Sequence, residues 1–97
     1  MQYNYQIIPR PAELGGGWRL QLLEDEQEAG GGVFPVPAIE PTEGMTWWNA
    51  TNEKDRAYWL LKAASARPAD AYHAFLLAQA YDEAEAEGLE WVASRDG

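Results

Sequence analysis

His73 is the only histidine in the chain, and it follows Asp70 by three residues, a spacing that lets two side chains meet on one helix face. A carboxylate beside an imidazole is two-thirds of a Ser-His-Asp triad, which also needs a serine within reach of the ring. No serine near this pair stands in the sharp strand-to-helix turn that presents a nucleophile, so His73 reads as a partly exposed helix residue. Asp82, Glu83, Glu85, Glu87 and Glu90 put five carboxylates into nine residues. Their spacings of one, two and three spread them around a helix, and neither an EF-hand loop nor a Glu-x-x-His pattern accompanies them. They read as a solvated face, and no metal or cofactor is expected. The two glycine triplets, residues 15–17 and 30–32, suggest a phosphate cradle, but neither is followed by a helix start carrying Lys-Ser or Lys-Thr. With no cysteine there is no thiol nucleophile, thiolate metal site or disulfide framework. Catalysis by two convergent carboxylates among the sixteen acids is what an enzyme reading would rest on. That reading ranks third, and a non-enzyme is expected.

Aromatic residues offer a different chemistry. Trp47 and Trp48 are adjacent, precede a helical pattern, and do not easily both point inward; rings of this kind often carry interface energy. Two readings stand side by side: one or both rings are covered by the fold, or the pair forms a contact site with Asn49 and Arg56. Trp18, Trp59 and Trp91 each lie on an apolar face and fit a core.

These residues need elements to hold them. Ninety-seven residues make one domain, and 46% hydrophobic content with twelve aromatic rings requires a packed core. Tyr3, Tyr5 and Ile7 alternate with polar neighbours, as do Trp18, Leu20 and Leu22, which predicts two half-buried strands. Pro9 and Pro11 end the first strand. Residues 24–27, Glu-Asp-Glu-Gln, predict a hairpin tip, and a third strand returns through residues 28–36. Glycines 30–32 mark a bulge in that strand, or a place where another element packs close to its backbone. Residues 36–46 read as an aperiodic connector. A helix over 52–66 follows, with Thr51 as its N-cap and Ala57, Trp59, Leu60, Leu61, Ala63 and Ala64 on its buried arc; Arg56 lies at the boundary. Pro68 and Asp70 start another helix, with a break allowed near Gln79. Its first half, Tyr72 to Ala78, is apolar nearly all round, and its second half shows a stripe through Leu77, Ala80, Tyr81, Ala84, Gly88, Trp91 and Val92. The fold class is α+β: a three-stranded antiparallel sheet with a packed C-terminal helix and an inserted αα-hairpin. Within a single domain, residues 1–36 form the sheet part, 45–79 the helical hairpin and 80–95 the closing helix.

Net charge is −9. From Leu20 to Thr51 there are six acids and no Lys or Arg, a field that repels phosphate backbones and attracts basic proteins; the plainer reading, which carries more weight, is that the charge only keeps a small aromatic-rich protein soluble. Direct nucleic-acid binding is not expected. No window reaches the roughly 18 apolar residues of a membrane span, and the N-terminus lacks a signal-peptide pattern, so a cytoplasmic location is expected with no membrane partner.

Trp47-Trp48-Asn49, then Arg56-x-x-Trp59-Leu60, then Pro68-Ala69-Asp70-Ala71-Tyr72 resembles a segment of small uncharacterised bacteriophage and prophage proteins. The flanking strand and closing-helix sequences also look like phage-type proteins of β-β-β-α layout. The resemblance covers about two-thirds of the chain and implies a phage or prophage origin without an activity. The leading expectation is a non-enzymatic accessory protein that binds a host or phage protein, with Glu83, Glu87 and Glu90 among acidic residues that would mimic nucleic acid and inhibit a basic, nucleic-acid-handling partner. The alternative is a structural module that forms a homodimer through the apolar Tyr72 to Ala78 segment.

Overall fold

The computed structural model of the chain describes residues 1–36 and 40–96. Contacts divide the chain into two compact units, one of Met1–Val36 with Gln79–Gly97 and the other Pro37–Ala78.

The first unit is built on a three-stranded antiparallel sheet in the order β1-β2-β3, with β1 at Tyr3–Pro9, β2 at Trp18–Glu24 and β3 at Gln27–Phe34. Alternation decides its faces. In β1 Tyr3, Tyr5 and Ile7 are half-buried while Asn4, Gln6 and Ile8 are exposed, and in β2 Leu20 is fully buried. Removing one leucine side chain from water stabilises by about 2 kcal/mol, so Leu20 anchors this face. The helix α3 spans Pro68–Asp96, and its residues from Gln79 onward cover the sheet. Ala80, Ala84 and Gly88 recur every four residues and are all buried, which lets the backbone approach the strands closely. A Cβ on Gly88 would lie 2.7 Å from Cγ of Tyr5, so the tyrosine ring rests directly on the glycine. Around that seat, Tyr3 meets Trp91 edge-on at 5.6 Å and Trp18 meets Tyr81 at 5.1 Å. Edge-to-face pairs of this kind add to what their buried area supplies.

Local chemistry sets the turns. Arg10 staples the β1-to-β2 connection, donating from Nη1 to the Gly16 carbonyl at 2.9 Å and from Nη2 to the Leu14 carbonyl at 2.7 Å. The β2–β3 hairpin closes through Asp25 and Glu26, both at positive φ (51° and 70°), the signature of a type I′ turn made without its usual Asn-Gly. Asp25 also holds the chain start, because its Oδ1 accepts from the Gln2 amide at 2.8 Å. The ladder slips between Leu22 and Leu23: Leu22 faces Gly30, Leu23 faces Glu28, and Ala29 is the extra residue of a bulge. Beyond it Gly31 sits at φ 149°, where a Cβ would run into the Leu20 carbonyl. The close backbone approach expected at the second glycine triplet occurs at Gly31, while the bulge lies two residues earlier at Ala29, just outside the triplet.

The second unit contains α1 (Pro41–Ala50), α2 (Glu53–Ala63) and the first eleven residues of α3. The expected connector over 36–46 is corrected here, since α1 occupies Pro41 onward. Proline at the first helical position is pre-set for a helix, and Gly44 is buried, so these supposed breakers start the helix and allow close packing. Residues 37–39 lie outside the described residues. The N-cap of α2 is Asn52, whose Oδ1 accepts from the Asp55 amide at 2.8 Å, whereas Thr51 ends α1. The buried arc of α2 is also corrected. Arg56, Trp59, Leu60 and Ala63 are its half-buried stripe, while Leu61 is 82% exposed and Ala57 and Ala64 are exposed. Alternate spacings of three and four pick out that stripe once the arginine stem counts as apolar. Ala64 ends α2 at φ 51°, and the Ser65 hydroxyl donates to Asp70 Oδ2 at 2.6 Å, tying the turn to the start of α3. Through Gln79 the helix is unbroken.

Candidate functional site

Trp47 and Trp48 lie in the last turn of α1, both half-buried. Trp47 faces Phe75 at 5.2 Å and Tyr72 at 5.3 Å, and Trp59 meets Phe75 at 5.4 Å with perpendicular rings. Trp47 thus belongs to the aromatic cluster that joins the three helices of its unit. Trp48 turns to Arg56. The guanidinium lies 5.0 Å from its ring centroid, and Arg56 Nε donates to the Trp48 carbonyl at 3.0 Å. A cation at this point also answers the negative end of the α1 dipole. Thr51 completes the corner, its hydroxyl donating to the Trp47 carbonyl at 2.6 Å. Asn49 is exposed. The fold therefore brings together Trp47, Trp48 and Arg56, in internal contacts, with Asn49 at the rim.

The apolar run of α3 is engaged in the same way: Tyr72 and Phe75 belong to the tryptophan cluster and Ala71 is fully buried. His73 points out of this packing and is exposed, and Asp70 is held by Ser65. A serine bonded straight to a carboxylate, with no imidazole between them, acts here as a loop staple.

The acidic candidates belong to the other unit. Glu83, Glu87 and Glu90 are exposed and share one flank of α3 through spacings of four and three. Charge is divided sharply between the units. Met1–Val36 with Gln79–Gly97 carries eleven acids against three bases, and Pro37–Ala78 carries five against four. Eight of the nine net negative charges thus reside on the sheet unit. Among the described residues, no three acids or histidines are grouped to hold a metal ion.

Sequence reasoning passed over the outer face of the sheet. Here Gln2, Asn4, Gln6, Gln21 and Leu23, with Glu26 and Glu28, line an open hollow of about 470 Å³. The signal lies in the polar half of the strand alternation, at Asn4, Gln6 and Gln21. Of the residues lining this hollow, Glu28 is paired with Arg19 at 2.7 Å. Beside it, at the hairpin tip, Glu24, Asp25, Gln27, Glu28 and Ala29 line a second hollow of about 410 Å³.

Fold and surface together define an α+β protein: a three-stranded antiparallel sheet covered by one helix and strongly acidic, whose chain passes through a near-neutral helical unit between its last strand and that helix. Comparison with protein-family models, with curated proteins and with solved structures found no match to this chain. None of its described helices is long and apolar enough to cross a membrane.

Proposed function

We propose that the chain is a non-enzymatic accessory protein of phage or prophage type that binds a basic protein, and that its acidic sheet unit occupies a surface the partner otherwise offers to nucleic acid. The observation that carries this reading is the confinement of the charge: eight net negative charges lie on one unit and one on the other. A field concentrated on one unit steers a basic partner towards it, whereas solubility depends on the net charge of the whole chain. The exposed flank of Glu83, Glu87 and Glu90 presents carboxylates in a row, as a phosphate backbone presents its anions. The phage assignment rests on the Trp-Trp-Asn to Pro-Ala-Asp-Ala resemblance, and phage genes beside this one would support it.

The experiment is capture from host lysate at low salt with the tagged chain, repeated with Glu83→Lys, Glu87→Lys and Glu90→Lys combined. A basic, nucleic-acid-handling protein held by the parent chain, released by salt and lost from the triple variant is the expected result. Recovery of no such protein overturns the reading. The self-associating alternative has lost part of its basis, because Tyr72 and Phe75 are used within their own unit. A dimer by size-exclusion with light scattering would restore it.

A further inference from the structure

The hollow on the outer face of the sheet has the chemistry of a peptide seat. Gln6 and Gln21 stand directly opposite each other in the β1–β2 ladder, and Asn4 stands opposite Leu23. Each carboxamide offers both donor and acceptor groups, which is what the alternating N–H and C=O of an extended backbone require. At one end the bulge at Ala29 sharpens the local twist and brings Glu28 to the rim with Glu26. The lining contains no cation, and the neighbouring arginine, Arg19, is already paired with Glu28. A sugar would find no aromatic ring in the lining to stack on. A metal ion would need ligands grouped as none are among the described residues. Two carboxylates at one end of a polar trough suit an extended chain whose cationic side chains reach that end. The surrounding unit, with eleven acids against three bases, favours the same occupant.

We propose that an extended arginine- or lysine-bearing segment of the partner lies across this hollow, its backbone bonded to the carboxamides of Gln6 and Gln21, one cationic side chain meeting Glu26 and another taking the place of Arg19 at Glu28. The proposal rests on the reading of a basic partner and adds to the Glu83, Glu87 and Glu90 flank a second contact, with the form in which the partner occupies it.

The test uses the full chain, labelled for NMR, titrated at low salt with the peptide Arg-Ser-Arg-Ser-Arg-Ser-Arg. In an extended strand its arginines point one way about 7 Å apart. Side-chain amide signals of Gln6 and Gln21 shift, and combining Gln6→Ala with Gln21→Ala weakens binding by about tenfold, the loss expected for two hydrogen-bonding side chains. The same residues still shift when Glu83, Glu87 and Glu90 are replaced by lysine. Shifts confined to the Glu83, Glu87 and Glu90 flank overturn the seat and leave the basic-partner reading standing. No shift anywhere at millimolar peptide removes both. Spermidine, which brings charge without a peptide backbone, is the control: binding as tight as the peptide's would mean the carboxamides contribute nothing, and the seat would fall.

Discussion

Replacing Gly88 by alanine sets two opposed effects against each other at one atom. In an exposed helix interior the change would stabilise by about 1 kcal/mol, because glycine has more backbone freedom to lose. Here the new methyl would lie 2.7 Å from Cγ, 2.8 Å from Cδ2 and 3.1 Å from Cδ1 of Tyr5. These atoms are the near end of a ring fixed in β1, so relief requires the helix or the strand to move. Overpacking of this kind costs about 1–3 kcal/mol. At the upper half of that range the clash wins, leaving a net loss of about 1–2 kcal/mol. For a chain of this size that is a fall in Tm of roughly 5–15 °C. Circular dichroism would follow the melt, and hydrogen exchange at the β1 and β2 amides would show that the sheet unit is the one that loosens. Gly88→Ala combined with Tyr5→Leu should be more stable than the two single losses added together, since removing the ring removes the clash. A rise in Tm for Gly88→Ala alone would show that propensity dominates and that the tyrosine is not seated on the helix.

Two further changes probe each unit. Asp25→Asn with Glu26→Gly supplies the residues a type I′ turn prefers, and should raise stability by about 1 kcal/mol in a denaturant titration. Asparagine keeps the Oδ1 that accepts from the Gln2 amide, so no gain would contradict the type I′ assignment. Trp47→Ala should cost about 3 kcal/mol, because Tyr72 and Phe75 lose a shared partner, and Trp48→Ala about 1 kcal/mol, because its main contact is one arginine. Equal losses, read from the same titration, would contradict the assignment of one ring to the cluster and the other to Arg56.

Strand alternation made the sheet and its inward face legible, since Tyr3, Tyr5, Trp18 and Leu20 recur at a period of two. The start of α3 was legible from Pro68 and Asp70. What escaped was α1, whose Pro41 and Gly44 are breakers inside a helix but an asset at its first position and at a close contact. The face of α2 departs from the expected arc at Ala57, Leu61 and Ala64, because hydrophobicity counts an arginine as polar while the half-buried Arg56 carries its guanidinium over the Trp48 ring. Of the candidate residues, Trp47 could be sorted from Trp48 only through Tyr72 and Phe75, more than twenty residues away. The carboxamide hollow was written in the polar positions of β1 and β2, yet no pattern within one strand says that Gln6 and Gln21 face each other.

The pairing of Tyr3 with Trp91 and of Tyr5 with Gly88 also sets a timetable for synthesis. The three strands are complete by Phe34, but the helix that covers them is not finished until about 57 residues later. At cellular elongation rates of about 5–20 residues per second, the inner face of the sheet waits roughly 3–11 s without its cover. During that interval Tyr3, Tyr5, Ile7, Trp18, Leu20 and Leu22 form an apolar surface on a nascent chain with two open strand edges, a natural template for aggregation. Glu24, Asp25, Glu26 and Glu28 are already in place at the hairpin tip, and their mutual repulsion opposes edge-to-edge pairing of neighbouring nascent chains. The acids at the hairpin tip thus serve the protein before it is complete.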